Sequence, residues 1–486
     1  MKEQKSIKKN FIMNSILTMS QFIFPLITFP YVSRILLPEG TGKVSFATSI
    51  ISYFAMFAQL GIPTYGIRAC AKVRDDKEKL SKTAQEIFII NIVMSILVYI
   101  VFFIVICNVP KLKDEKPLLI IVSATIFFNA IGMEWLYKAL EQYTYITIRS
   151  VIFKFIALIA MFLLIHQKSD YIIYGAISIF ASSASNIFNF VNVHKYISLR
   201  PVGDYNFKQH LKAVSVFFAM SCATTVYTHL DTVMLGFMKT NADVGYYNAA
   251  VKIKTILVSI VTSLGTVLLP RASYYVEHGL KEEFYRITKK AINFVFLVAT
   301  PLMLYFMFFA KEGIFFLSGN NYGGAIVPMQ IIMPTLFFIG LTNIMGMQIL
   351  VPLGKENIVL YSEIVGAIVD LAINYILIPK YASAGAAIGT LVAEIAVWIV
   401  QYAYLRKQIK DAYKNVRYGV LILALFLGSI ASLWVKKVFS GSFIVLLISA
   451  ILFFGAYFVV LTIAKEPLIY QIEEGLLTKL KKKGEK

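Results

Sequence analysis

The chain has 486 residues, of which 58% are hydrophobic and only 15% are charged, and its mean hydropathy is +0.71. A soluble domain has about 25% charged residues, so this composition excludes an ordinary soluble protein and indicates an integral membrane protein. The net charge of +20 then fits basic loops beside anionic lipid rather than nucleic-acid binding, and three scattered cysteines give neither a disulfide framework nor metal-ligand spacing.

Apolar runs of about 20 residues, long enough for a helix to cross the hydrocarbon of a bilayer, recur along the whole chain. The first follows a basic N-terminus without a small-residue cleavage site, so it is interpreted as a membrane helix rather than a removed signal peptide. The expected fold class is an all-α integral membrane protein with about fourteen transmembrane helices, numbered 1 to 14 along the chain. They are predicted near residues 11–36, 43–65, 84–109, 117–138, 147–166, 171–194, 210–237, 245–270, 287–310, 324–351, 356–379, 385–405, 416–436 and 441–464.

Lysine and arginine concentrate in alternate connecting segments. If the N-terminus is cytoplasmic, the cytoplasmic side carries "KEQKSIKK", "RACAKVRDDKEKLSK", "HKYISLRPVGDYNFKQHLK", "KEEFYRITKK", "RKQIKDAYKNVR" and the tail "KLKKKGEK". The other side holds only scattered lysines. The positive-inside rule therefore predicts a multi-pass protein of the cell membrane with both termini in the cytoplasm.

A weak internal repeat indicates how the helices are grouped. "GKVSFATSIIS" from Gly42 and "GYYNAAVKIKT" from Gly245 each open a helix after a short loop, and these helices are six apart. This spacing predicts two six-helix lobes of the same orientation, at residues 1–200 and 201–410, with helices 13 and 14 and a basic tail in 411–486. The alternative is chance similarity between two short apolar segments.

Polar residues share one face of several predicted helices because they recur at helical spacing. Helix 8 carries Asn248, Lys252, Thr255, Ser259, Thr262 and Thr266, and helix 1 carries Asn14, Thr18, Gln21, Pro25 and Thr28. Small hydroxyl residues also mediate helix packing, but packing does not explain Lys252 well inside the bilayer. The pattern predicts a cavity lined by helices 1, 2, 7 and 8. Arg34, near the outer end of helix 1, either lines this cavity or snorkels to the interface.

The stretch "YTHLDTVMLGF" places Asp231 inside helix 7, where an ionised group is costly unless it is paired or faces water. Helix 11 offers Asp370 and Asn374, and helix 12 offers Thr390 and Glu394. Hard oxygen ligands at similar depth suit a sodium ion, or a proton relay in which Glu394 carries the proton. The alternative is interhelical hydrogen bonding with one carboxyl group kept protonated.

Signatures of catalysis or nucleotide binding do not stand out. The P-loop pattern is absent from the sequence, and no nucleophile with a matching base or carboxylate pair in a soluble cleft is evident. The expectation is therefore a protein that is not an enzyme and has no cofactor beyond a coupling ion.

Four stretches carry a family resemblance. They are "FPLITFPYVSRILLPEGTGKVSFATSI", "GMEWLYKALEQYTYITIRSVIFK", "HLDTVMLGFMKTNADVGYYNAAVKI" and "LLPRAS". They resemble the polysaccharide-transporter branch of the multidrug/oligosaccharidyl-lipid/polysaccharide superfamily, which contains the Wzx-type repeat-unit flippases of capsule, O-antigen and exopolysaccharide synthesis. The stretches that resemble the family lie between helix 1 and helix 8. For the remaining helices, the resemblance is in the fourteen-helix arrangement.

The resemblance implies two lobes around a central cavity, alternating access, and a substrate made of an oligosaccharide on undecaprenyl diphosphate. Lys252 and Arg34 fit the role of cationic partners for the diphosphate. The neighbouring cavity residues are Asn248, Thr255, Ser259 and Gln21. Related lipid II flippases use helices 13 and 14 as a groove for the lipid tail and have a sodium site on helices 7, 11 and 12. Further expected partners are membrane lipids, a polysaccharide polymerase and glycosyltransferases, but no nucleic acid.

Three alternative functions are considered. A lipid II-type flippase is a close neighbour that the sequence separates poorly. A drug/cation antiporter of the same superfamily would have a cavity rich in carboxylates and twelve helices. A membrane glycosyltransferase or polymerase would require a sizeable extramembrane loop with paired acids or many arginines, and no such loop is present in the sequence.

Overall fold

A computed structural model describes residues 7–414, 416–471 and 474, and within these ranges the secondary structure is helical with no strand. The basic tail of the sequence and the start of its N-terminal basic segment lie outside them. Short 3₁₀ helices and two π-helical segments, Phe180–Ala184 and Ile344–Leu350, occur among the described residues. The α-helices are α1 (Ile7–Gln59), α2 (Ile62–Lys72), α3 (Lys77–Asn108), α4 (Pro110–Lys113), α5 (Lys116–Gly132), α6 (Glu134–Ala139), α7 (Tyr143–Leu164), α8 (Tyr171–Ile179), α9 (Asn186–Asn192), α10 (Lys208–Met238), α11 (Asn241–Glu277), α12 (Lys281–Phe308), α13 (Ala310–Ser318), α14 (Ile326–Ile332), α15 (Thr335–Asn343), α16 (Glu356–Lys414), α17 (Tyr418–Leu433), α18 (Val435–Val438) and α19 (Ser442–Ile463).

The described helices agree with the predicted membrane spans. Ten are long and apolar enough to cross a membrane, and a bent pair from Asn320 to Leu350 makes up to eleven. Two of the ten contain two spans each, because α1 is broken at Leu37 and α16 at Ala382, where the backbone leaves the helical region. With the shorter α5 included, the described part of the chain contains fourteen apolar segments. The prediction of an all-α, multi-pass membrane protein is confirmed.

The chain forms two compact units, Met1–Gly245 and Tyr246–Lys486. The first contains α10, the helix that the repeat assigns to the second lobe. The predicted lobes at 1–200 and 201–410 stay a prediction.

Two glycines of the first unit allow two turns to pack closely. The turn that follows Leu37 lies against the start of α11. A Cβ at Gly42 would lie 1.7 Å from the Asn241 carbonyl oxygen, and a Cβ at Gly245 would lie 2.1 Å from the Pro38 carbonyl oxygen. These glycines are the residues at which the internal repeat begins, so the repeated feature corresponds to a close contact between backbones.

The start of α3 is fixed by a capping residue. The Asp76 carboxylate accepts hydrogen bonds from the backbone N–H groups of Lys79 and Glu78, each at 3.1 Å. These bonds, with that of Lys79 the largest contribution, lower the pKa of the Asp76 carboxyl group below its usual value. The basic segment between α2 and α3 therefore ends in a defined helix start.

The two C-terminal membrane helices, α17 and α19, pack against each other, and α19 is hydrogen-bonded to α12 in the second unit. The Tyr305 ring lies 5.6 Å from the Phe453 ring, and its hydroxyl group donates to the Leu446 carbonyl oxygen at 2.7 Å. Further along, the Tyr457 hydroxyl group donates to the Leu297 carbonyl oxygen at 2.9 Å. The opposite sides of α17 and α19 expose large apolar residues, as a lipid-facing pair of helices requires.

Candidate transport site

The polar seam of α11 faces away from the packed core of its unit. Ile253, Leu257 and Val261 lie one turn apart, are 7%, 5% and 1% exposed, and form the packing face. At about 100° per residue, the seam lies on the opposite side of the helix. Its members are half-buried or exposed, and they are Asn248, Lys252, Thr255, Ser259 and Thr262, whereas the Thr266 side chain lies outside the described part. A polar stripe with a lysine is costly against lipid, so this geometry favours a water-lined cavity.

The hydroxyl groups of the seams bond to their own helices. Thr255, Ser259 and Thr262 donate to backbone carbonyls of α11 at 2.9, 2.6 and 2.9 Å. Thr18 and Thr28 donate to backbone carbonyls of α1 at 2.9 and 3.0 Å. These bonds satisfy the hydroxyl hydrogens within one helix.

The first half of α1 exposes two stripes of opposite character. Asn14, Thr18 and Gln21 are exposed on one side. Ile16 and Ile23, 43% and 48% exposed, point to the opposite side according to the helical spacing. The apolar stripe suits lipid and the polar stripe suits water, which agrees with the predicted cavity-lining face of helix 1.

Arg34 is exposed near the end of the first half of α1. Its guanidinium group donates to the Pro30 carbonyl oxygen one turn earlier. The side chain thus lies along its own helix, an arrangement that both snorkelling and cavity lining permit. Its role in substrate binding stays a prediction.

The helix that carries Asp231 packs against the second half of α1. The His229 Nδ1 atom lies 3.2 Å from the Ser49 Oγ atom, and the Phe46 and Phe237 rings are 5.3 Å apart. His229 therefore finds its partner on predicted helix 2. Asp231 is 4% exposed and belongs to the first unit.

Two of the predicted cation ligands come together in the second unit, and a third is their neighbour's next residue in the chain. Asp370 and Asn374 are 2% and 0% exposed on the first half of α16. They face Gly389 on the second half, where a Cβ would lie 2.1 Å from the Asn374 Oδ1 atom and 3.0 Å from the Asp370 Oδ1 atom. Thr390 is the next residue. The missing side chain at Gly389 therefore leaves room in which these oxygens converge.

Tyr247 of α11 contacts one of these predicted ligands, Thr390, and was not itself among the predicted site residues. Its hydroxyl group lies 2.9 Å from the Thr390 Oγ1 atom. Tyr247 is 3% exposed, and Glu394, one turn beyond Thr390, is 5% exposed. Tyr247 lies off the polar seam of α11, so periodicity alone gave no signal for it.

The residues present fit a hard cation and do not fit a transition metal. Among the described residues, no cluster of three or more His, Cys, Asp or Glu side chains is arranged to hold a metal ion. The groups that converge beside Gly389 are instead one carboxylate and one amide oxygen. Such oxygen donors are those that hard cations prefer.

Two cationic side chains of α7, Lys154 and Arg149, were not among the predicted site residues. The Lys154 Nζ atom lies 2.7 Å from the Ser20 Oγ atom of α1. Arg149 is 7% exposed, and its guanidinium group donates to the Ser185 carbonyl oxygen at 3.0 Å and lies 3.5 Å from a Glu134 carboxylate oxygen. The signal was available in the sequence, because "IRSVIFK" places two charges within one apolar run.

The sequence matches known proteins over most of its length. Residues 7–276, more than half of the chain, match the family profile described as "Polysaccharide biosynthesis protein". The chain belongs to this family. A protein of Escherichia coli K12 named "Putative O-antigen transporter" is 24% identical over 404 residues, which cover 82% of this chain and 97% of that protein. The "Capsular polysaccharide biosynthesis protein CapF" of Staphylococcus aureus is 22% identical over 417 residues, which cover 83% of this chain and 99% of that protein.

Solved structures share the fold. A structure titled "Lipid II flippase MurJ, inward closed conformation" has a TM-score of 0.72 at 17% identity, covering 94% of this chain and all of that one. An inward-facing multidrug-resistance transporter of the MATE family, of the MOP superfamily, has a TM-score of 0.63 at 14% identity, covering 83% of this chain and 99% of that one. Residues 217–376 also match the MatE profile. The resemblance noted in the sequence is confirmed.

Proposed function

We propose that this protein is a flippase that moves lipid-linked oligosaccharide repeat units across the cell membrane by alternating access. Membership of the polysaccharide biosynthesis family and the similarity to proteins named for O-antigen transport and capsule synthesis support this proposal. The observation that carries it is the polar seam of α11, which bears Lys252 on the side of a membrane helix opposite the buried Ile253, Leu257 and Val261.

The seam supplies what the head of such a substrate needs. Undecaprenyl diphosphate carries at least two negative charges, which the Lys252 ammonium group would attract in a medium of low dielectric constant. Asn248, Thr255 and Ser259 would offer hydrogen bonds to sugar hydroxyl groups. Gln21 of α1, in the first unit, is a separate candidate for the same role. The lipid tail would stay in the hydrocarbon, so only the polar head needs a water-lined path.

The proposed orientation follows from the basic loops. With both termini in the cytoplasm, the substrate would come from cytoplasmic glycosyltransferases and pass to a polymerase on the other side. The transporter role also makes an enzymatic activity unnecessary. Reporter fusions at Lys2 and Lys486 test this orientation, and a signal from the outer side at either end would contradict it.

Reconstituted transfer tests the function. Proteoliposomes that hold the purified protein are loaded with undecaprenyl-diphosphate oligosaccharide, and an added glycosidase reports the fraction in the outer leaflet. The fraction is expected to rise with time beyond that of protein-free liposomes. Transfer of lipid II with no transfer of the oligosaccharide substrate would instead support the lipid II-type alternative, and cation export with neither would support an antiporter.

We further propose that transport is coupled to sodium or protons at Asp370, Asn374 and Thr390, with Glu394 as an additional member. Asp231, in the first unit, is a separate candidate for the same coupling. An ion that binds the outward and inward states unequally shifts the equilibrium between them, and this is how a gradient would drive the cycle. The convergence of the Asp370 and Asn374 oxygens beside Gly389 supports this proposal.

Gly389→Ala is expected to remove ion dependence while the fold is kept. The added methyl group would meet the Asn374 Oδ1 atom at 2.1 Å and displace it from the cluster. Thermal unfolding of the wild type should shift upward with sodium at constant ionic strength, or change with pH if protons are coupled, and the variant should show no such response. Gly455→Ala is the matched control, because nothing lies within 4 Å of a Cβ at that position.

Asp231→Asn extends the same measurement to the first unit, since it preserves size and removes the charge. It should reduce transport and weaken the ion response. The site assignment is wrong if wild type responds to neither ion, or if Gly389→Ala responds as wild type does. Asp231 is a packing residue if only Asp231→Asn keeps the full response.

A further inference from the structure

A pocket of about 220 Å³ lies on the first unit, at the end of the helices where the basic loops are found. It is smaller than the sites of drug-sized ligands, so it suits a narrow chain better than an oligosaccharide. Most of its lining is apolar. Residues from α3, α9 and the segment that leads to α10 form it, among them Phe88, Ile89, Phe190, Leu199, Gln85 and Tyr205.

One side chain of α3 holds the outer wall of this pocket in place. The Gln85 Nε2 atom donates to the Ser198 and Arg200 carbonyl oxygens at 2.7 and 2.9 Å. Its Oε1 atom accepts from the Tyr205 hydroxyl group at 2.7 Å and from the Val202 N–H group at 3.3 Å. The wall is therefore fixed by four hydrogen bonds, and the pocket is preformed rather than a gap under a loose loop.

The short segment that lines the pocket also carries two cations. Lys195 and Arg200 are exposed, and each lies within a few residues of apolar lining residues such as Ile197 and Leu199. The acidic residue of this segment is Asp204. An apolar pocket with cations beside it, at the basic end of membrane helices, has the chemistry of a lipid site: a chain fits the pocket and an anionic head pairs with the cations.

We propose that this pocket binds one acyl chain of an anionic phospholipid whose phosphate group pairs with Lys195 and Arg200. This site is separate from the polar seam and does not depend on which substrate the protein moves. A bound lipid would brace the segment that enters α10. The protein would therefore bind phosphatidylglycerol in preference to phosphatidylcholine, because only the former has a net negative head.

Native mass spectrometry of the full-length protein tests the charge requirement. The protein is titrated with dioleoyl phosphatidylglycerol and, separately, with dioleoyl phosphatidylcholine. Lys195→Gln/Arg200→Gln is expected to weaken phosphatidylglycerol binding about tenfold, since each cation near a membrane surface contributes to anionic lipid binding. Lys407→Gln/Lys410→Gln removes two exposed lysines of α16 and is expected to leave binding unchanged.

A second pair of variants tests the pocket itself. Ile89→Trp fills the cavity and is expected to weaken phosphatidylglycerol binding at least tenfold, whereas Ile96→Trp, at a residue 55% exposed on the same helix, is expected to bind as wild type does. If Ile89→Trp does not fold, the Lys195→Gln/Arg200→Gln variant tests the proposal alone. That variant is expected to fold because both residues are exposed. Equal binding by the charge variant and wild type, equal affinity for the two lipids, or an isoprenoid phosphate as the retained lipid would overturn the proposal. Binding is measured without transport, so this failure is distinct from failure of the flippase assignment.

Discussion

Lys252→Ala is expected to slow transfer of lipid-linked oligosaccharide about 100-fold in proteoliposomes, since a hydrogen bond between charged groups contributes about 1.5–3 kcal/mol. The loss should appear in transport and not in folding, because Lys252 lies on the face of α11 opposite the buried Ile253, Leu257 and Val261. The initial rate of glycosidase-accessible product measures it. In cells, lipid-linked repeat units should accumulate while expression stays normal.

Lys254→Ala provides the matched control for charge. Lys254 lies on the same helix and is also half-buried, but it is about 200° around the axis from Lys252. Its loss should reduce transfer by less than about threefold, because Lys254 lies off the seam that is proposed to bind the substrate head. Lys252→Arg should retain part of the activity, because the charge is kept while its geometry changes. A wild-type rate for Lys252→Ala, or equal losses in both alanine variants, would mean that the seam does not bind the substrate head.

Glu86→Ala is expected to lower the free energy of unfolding by about 3–5 kcal/mol, because it leaves three partners in buried or half-buried hydrogen bonds without their acceptor, at about 1–3 kcal/mol each. Glu86 is fully buried on α3. Its carboxylate accepts from the Asn206 N–H group at 2.7 Å, lies 2.7 Å from the His210 Nε2 atom, and accepts from the Gln209 side chain at 2.9 Å. The His210 Nδ1 atom lies 2.5 Å from the Tyr65 hydroxyl group, so the cluster joins α2, α3 and the start of α10.

Thermal and denaturant unfolding of the purified protein measure this loss. Glu86→Gln should be milder, because the amide keeps the size and one acceptor oxygen. Glu78→Ala, at an exposed residue of the same helix, should change stability by less than about 0.5 kcal/mol. Equal stabilities of Glu86→Ala and Glu78→Ala would show that the cluster does not hold α10 in place.

The sequence predicted the number and position of the membrane helices because apolar length is a property of each segment alone. It also predicted the α11 seam, because Lys252 and Thr255 need only helical spacing to share a face. It did not predict that Gly389 would lie beside the side-chain oxygens of Asp370 and Asn374. That depends on how two halves of α16 fold back on each other after Ala382, which no local pattern encodes.

Other omissions have similar physical reasons. Tyr247 was missed because a tyrosine off the seam resembles any aromatic core residue, and its bond to Thr390 is made across helices. Glu86 was missed because the predicted helix 3 begins near residue 84, which places Glu86 in a first turn, where an acidic residue is ordinarily exposed and favourable. In the structure α3 begins at Lys77, and Glu86 lies in its third turn. Its burial results from the segment that returns from α9 and covers it.

Tyr247 and Lys252 belong to one helix, although they face different neighbours. Tyr247 contacts Thr390 of the oxygen cluster, and Lys252 lies on the proposed substrate seam. If α11 moves as a rigid rod, occupancy of one site changes the energy of the other, and thermodynamic linkage makes this effect reciprocal. If bound ion changes the affinity for substrate by some factor, bound substrate changes the affinity for the ion by the same factor. If the proposed ion and the proposed substrate favour the same state of the protein, a cell short of lipid-linked precursors would also hold less of the ion on this protein.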